Sequence, residues 1–356
     1  MERGAGGMIR RDLRIDVTDA AGIGEPAHVA LTVVLPDRPP QNPIICFAKP
    51  GGGYSRGYYT CDLPGPTSGA QADWHVARGW IFVALDHLGV GDSSLHAPEA
   101  LTYTVVAAAN AAAEGVVRDR LARGTLVPGY PAIIEPVTIG IGQSMGGCLT
   151  IVQQGRHASY HGIASLGYSA IHTHPPVRPG EPPIVAPWFA RDTLTNAPPL
   201  NLTALARNIP GRRGGDAMAW GFHYDDVPRE VVERDLAHFN RNIHDPASQS
   251  GAAGNPWNSL TTPGAVAQTC LTPGIVAVEA AAVDVPVLVA MGERDVCADP
   301  AGEPRAYRSA PSVDLFICPR MGHMHNFAGT RALLWQRIAN FGDWVATWKE
   351  HHAHGE

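Results

Sequence analysis

A serine, an aspartate and a histidine stand, in that order, where each could take part in nucleophilic catalysis. Gly142-Gln143-Ser144-Met145-Gly146 follows Pro136-Val137-Thr138-Ile139-Gly140-Ile141, a β-branched apolar run that predicts a buried strand. It precedes Gly147-Cys148-Leu149-Thr150-Ile151-Val152-Gln153-Gln154, which reads as the opening of a helix. Glycines on both sides of a serine at such a junction allow a tight, strained turn. That turn pushes the hydroxyl out above the sheet, beside a backbone N–H. A serine hydroxyl is a poor nucleophile near neutral pH, so it needs a base, and the base needs a third group to orient it. Val287–Met291 runs into Gly292-Glu293-Arg294-Asp295, and Leu315–Cys318 runs into Pro319-Arg320-Met321-Gly322-His323-Met324-His325. Each partner is thus expected on the loop after a strand. Two histidines compete for the role of base. His323 is favoured because Gly322 before it can admit a sharp turn back toward Ser144. His325 is expected to bond backbone or border a substrate pocket.

The reaction also needs backbone donors for the oxyanion. One is the N–H of Met145, directly after the nucleophile. Gly52 and Gly53 of Lys49-Pro50-Gly51-Gly52-Gly53-Tyr54 are expected to supply the others, since a backbone without side chains can approach a carbonyl closely. Tyr54, Trp188 and Trp220 are candidate substrate contacts. His172-Thr173-His174 has ligand-like alternation, but without a matching acidic or histidine set beside it no metal is expected. The six cysteines include no C-x-x-C pair, so no zinc or redox motif arises, and no cofactor is implied.

The elements that must hold these residues alternate between apolar strands and helical stretches, which predicts an α/β fold with a mostly parallel sheet. Leu13–Val17 and His28–Leu35 suggest an opening hairpin. Strands are expected at Pro43–Ala48, Trp80–Leu85 and Ile163–Tyr168, and helices over Tyr103–Leu121, Arg229–Asn240 and Thr330–Trp348. Composition shifts between them. Residues 1–170 and 284–356 carry the strand-and-helix alternation. Residues 171–283 are rich in Pro, Gly, Trp and His, and are expected to form a cap or lid over the sheet's C-terminal edge. Their aromatics suggest apolar, fairly bulky substrates. With 39 glycines and 31 prolines in 356 residues, the chain suits a loop-rich surface on a firm scaffold. A formal charge of −6 gives no basic footprint for nucleic acid. The N-terminus lacks a signal-peptide apolar core, and Val105–Val117 is too short and polar to span a bilayer. A cytoplasmic protein is therefore expected, with the oligomeric state left open.

With these motifs in hand, the chain resembles the α/β-hydrolase fold superfamily from about residue 13 to 348. Gly142-Gln143-Ser144-Met145-Gly146 resembles that family's nucleophile elbow, and Asp86-His87-Leu88-Gly89-Val90-Gly91-Asp92-Ser93 resembles its D-x-x-G-x-G-x-S loop. Gly292-Glu293-Arg294-Asp295 and Gly322-His323 resemble its acid and histidine loops, and Ser144, Asp295, His323 follow its Ser…Asp…His order. One departure stands out. Pro50 occupies the place where many relatives have a histidine before the glycines. The resemblance implies hydrolase chemistry of serine esterase or lipase type and fixes no substrate; the residues together predict a cofactor-free serine hydrolase acting on a carboxylic ester or lactone. Acyl transfer, C–C bond hydrolysis of a diketone, and a non-catalytic small-molecule receptor are the alternatives.

Overall fold

The computed structural model describes residues 2–4, 7–181, 214–237 and 254–353. Among the described residues, nine strands form one sheet: β1 Glu2–Gly4, β2 Met8–Asp16, β3 His28–Pro36, β4 Ile44–Lys49, β5 Ile81–Leu85, β6 Val137–Gln143, β7 Gly162–Leu166, β8 Val287–Gly292 and β9 Val313–Cys318. Their spatial order is β1-β2-β3-β5-β4-β6-β7-β8-β9. The first three are antiparallel, β3 pairs antiparallel with β5, and every later pairing is parallel. All residues of β4 to β8 are buried. Strands covered on both faces are mostly apolar, which is why they appear in the sequence as near-continuous runs without alternation, interrupted by Lys49, Thr138, Gln143 and Ser165.

The α-helices among the described residues are α1 Thr18–Ala21, α2 Gly57–Thr60, α3 Gln71–Val76, α4 Tyr103–Ala122, α5 Met145–His157, α6 Gly214–Phe222, α7 Arg229–Leu236, α8 Gly264–Leu271, α9 Ala277–Ala282 and α10 Arg331–Ala353. Val106 and Val117 of α4, Leu149 and Ile151 of α5, and Ala280 of α9 cover one face of the sheet. Val76 of α3 and Ile338, Phe341 and Val345 of α10 cover the other. The chain between β7 and β8 is thus not all peripheral. Val266, Cys270, Val276 and Ala280 join the core layer beside α5. Met218, Val231, Leu236 and Trp257 pack into the opposite layer. Among the described residues, no helix is long and apolar enough to cross a membrane.

Two buried histidines tie this packing to pH. The His75 ring stacks on Trp80 and Phe82 with neither nitrogen partnered among the described residues, and burial pulls it down to about 3. His87 is pulled down to about 4, by burial first and by Lys49. In both cases the unfolded chain binds a proton before the native one does. Their contribution is complete above the ordinary histidine value of about 6.5 and is lost as pH falls toward these depressed values. The His87 share is on the order of 3 kcal/mol by about pH 4. The urea midpoint is therefore expected to drop between about pH 7 and about pH 5, and His75→Phe, which keeps the stack, should flatten the drop. An equal midpoint at both pH values contradicts this account.

Candidate active site

Ser144 sits between β6 and α5 with φ 54 and ψ −118, a left-handed backbone that a residue with a side chain adopts only at a cost of roughly 1–3 kcal/mol. The surrounding glycines make this turn feasible by close approach. A Cβ on Gly142 would lie 2.0 Å from the Gly146 carbonyl oxygen, and one on Gly146 would lie 2.0 Å from that of Lys49. The helix begins at Met145, two residues earlier than its sequence pattern suggests, because Ser144 ends the strand outright.

His323 Nε2 lies 3.0 Å from Ser144 Oγ, and His323 Nδ1 lies 2.7 Å from Asp295 Oδ1. Since the carboxylate can only accept, Nδ1 carries the proton and Nε2 is free to accept the serine's. Asp295 takes four hydrogen bonds. Oδ1 accepts from the Val296 N–H (2.8 Å) and His323, while Oδ2 accepts from the Gly292 N–H (2.7 Å) and His325 Nε2 (2.8 Å). Burial alone would push this carboxyl up, but the two imidazoles outweigh it and hold Asp295 below the usual carboxylate range. The Gln143 amide donates to the His323 carbonyl (2.9 Å), and the Phe222 ring packs on the imidazole at 4.9 Å.

A cavity of about 80 Å³ opens onto Ser144 and is lined chiefly by apolar atoms of Met145, Met218, Phe222, Leu271, Val296 and Met324, with Tyr54 and Gly52 beside them. A larger polar cleft of about 910 Å³, around Arg56 and Asp92, shares no residue with it. Among the described residues, the N–H groups of Gly52 and Met145 have no hydrogen-bond acceptor, and both residues border the Ser144 cavity. The Gly-rich loop is braced from behind. His87 Nε2 bonds the Pro50 carbonyl (3.1 Å) and its Nδ1 accepts from the Asn110 amide (3.0 Å). Lys49, fully buried at the end of β4, pairs with Glu114 at 2.7 Å. No group of three or more His, Cys, Asp or Glu among the described residues could hold a metal ion.

No protein-family model matches the sequence, and no curated protein does. Solved structures match by shape. Proline iminopeptidase from Mycobacterium smegmatis superposes with a TM-score of 0.56 at 16% identity, over 94% of this chain and 98% of that one. A thermophilic esterase from Thermogutta terrifontis gives 0.55 at 15% identity, over 94% and 99%. A peroxisomal alpha-beta-hydrolase from Saccharomyces cerevisiae gives 0.52 at 11% identity, over 96% and 90%. The chain has the α/β-hydrolase fold.

On this α/β-hydrolase fold the structure corrects several expectations. The Gly53 N–H is spent on Thr262 Oγ1 (2.9 Å), because the chain turns there with φ 83, so Gly53 is not an oxyanion donor. Trp220 does not line the cavity and instead faces the Arg294 guanidinium at 4.7 Å. On α6 it points some 200° away from Phe222, whereas Met218 and Phe222 share a face. His325 lies behind the acid and outside the cavity, so it makes no substrate contact there. Gly322 is needed for another reason than a sharp turn: a Cβ on it would meet the Phe222 carbonyl oxygen at 2.6 Å. Tyr54 does border the cavity, and its hydroxyl donates to Asp235 (2.7 Å). Trp188 lies outside the described residues.

Proposed function

We propose that this chain is a serine hydrolase that cleaves a carboxylic ester or lactone through an acyl-enzyme. The reading rests chiefly on the unbroken chain Ser144 Oγ–His323 Nε2, His323 Nδ1–Asp295 Oδ1, at 3.0 and 2.7 Å. Ser144 Oγ attacks the carbonyl carbon while its proton passes to His323 Nε2. Asp295 stabilises the imidazolium that results. The oxyanion meets the Gly52 and Met145 N–H groups. His323 then protonates the departing alkoxide, and a water repeats the cycle on the acyl-enzyme, giving up its proton to His323. Every proton moves between substrate, water and these side chains, so the chemistry requires no cofactor.

Residues 171–283, of which 182–213 and 238–253 lie outside the described residues, are proposed to cap the site and set substrate size. The apolar lining suits an uncharged acyl group. At about 10–15 Å³ for each water, a cavity of about 80 Å³ has room for a short acyl chain. A panel of nitrophenyl esters from acetyl to octanoyl, with lactones and an alcohol acceptor alongside, tests the reading. Absence of turnover on all of them, with no covalent labelling of Ser144 by a phosphonate, would leave a binding protein instead. Faster consumption in the presence of the alcohol would indicate acyl transfer. Met218→Ala, which leaves the Phe222–His323 contact in place, should raise the octanoyl-to-acetyl ratio of kcat/KM about tenfold. An unmoved ratio would mean that α6 does not set acyl length.

A further inference from the structure

His325 is a buried, titratable side chain that the mechanism above does not use. Its Nε2 lies 2.8 Å from Asp295 Oδ2, the oxygen that His323 leaves free. Its Nδ1 is buried with no partner among the described residues. An ionised carboxylate offers no proton, so Nε2–H is the donor, and Asp295 is held by two imidazoles at once. The space for this arrangement is made by Gly167 at the end of β7. A Cβ there would meet His323 Nδ1 and His325 Nε2 at 3.2 Å each and Asp295 Oδ1 at 3.3 Å.

We propose that His325 is a positioning residue for the triad acid: by sharing the Asp295 carboxylate with His323, it sets the pH above which Ser144 becomes reactive. The proposal rests on the triad reading given above. Charge drawn toward His325 is unavailable to His323, so the Asp295 carboxylate stabilises the imidazolium formed on His323 less strongly while both imidazoles share it. Without His325, the Gly292 and Val296 N–H groups still fix the carboxylate in place, and its charge then falls more fully on His323. The other charged or titratable groups packed around the cluster have partners of their own. The Tyr58 hydroxyl accepts the Asn326 N–H, and burial pushes that phenol up. Asp235 takes bonds from Tyr54, His223 and Trp257, and Arg331 donates to the carbonyls of Leu63, Asn326, Thr67 and Gly69.

The test measures the rate of Ser144 phosphonylation against pH in the wild type, His325→Leu and His325→Gln, a readout that needs no natural substrate. In His325→Leu the acid limb is expected to move up by about half a pH unit or more, with the high-pH plateau kept within a few-fold. His325→Gln, whose amide can donate from near the Nε2 position, should bring the limb back toward wild type. A limb that stays in place or moves down in His325→Leu overturns the proposal, even if the plateau falls. If His325→Leu does not fold, the comparison is made between His325→Gln and the shorter His325→Asn, and equal limbs overturn it. Absence of labelling in the wild type would instead overturn the serine-hydrolase reading beneath it.

Discussion

Replacement of Ser144 by alanine is expected to lower kcat by about 10³-fold or more while the folded structure persists. The substitution removes one oxygen, and nothing in the surrounding turn depends on it: the close approaches at Gly142 and Gly146 are backbone to backbone. Alanine must still adopt φ 54, so a small loss of stability is expected, with no change in secondary structure by circular dichroism. His323→Ala should be nearly as inactive, because the nucleophile is useless without its base. The double variant should be no worse than either single one, since groups acting as a unit are not additive. A fluorophosphonate should label wild type at Ser144 alone and leave Ser144→Ala unlabelled. Turnover retained in Ser144→Ala at a tenth of wild type or more would exclude the acyl-enzyme route.

The parts of this site that are legible in the sequence are those with a local cause. The turn around Ser144 needs small neighbours within two residues, and strands buried on both faces are mostly apolar, so both leave marks in the chain. Asp295 and His323 follow such strands directly, and their order does the rest. What is not legible comes from contacts between distant segments. Thr262 takes the Gly53 N–H from 209 residues away, and Tyr54 reaches Asp235 across 181. Nothing next to Gly53 marks its N–H as occupied. Gly322 was legible as necessary but for the wrong reason, since the Phe222 carbonyl that excludes a side chain there belongs to another segment. Trp220 and Phe222 show a third kind of failure. Without a helical period to read, the two aromatics look equivalent, and only the turn of α6 separates the one that faces Arg294 from the one that packs on His323.

Asp295→Asn is expected to be the other severe loss, about 10³- to 10⁴-fold in kcat. Each carboxylate oxygen accepts one backbone N–H and one imidazole N–H, so an asparagine in either orientation turns its NH₂ toward two donors. With the NH₂ on the Oδ1 side, His323 must move its proton to Nε2 and loses the lone pair that accepts from Ser144. With the NH₂ on the Oδ2 side, His325 can shift its proton to the unpartnered Nδ1, but the Gly292 N–H is left facing another donor. An unsatisfied buried donor costs about 1–3 kcal/mol, so the variant should fold with reduced stability in either case. His325→Leu in the same background removes one of the competing donors. It should make the Oδ2-side orientation less costly, leaving the Asn carbonyl to accept from His323 and recovering part of the lost rate. Activity of Asp295→Asn within tenfold of wild type would show that His323 is oriented by some other group. An unmoved acid limb in His325→Leu together with no recovery in the double variant would leave the acid essential and deny His325 any hold on it.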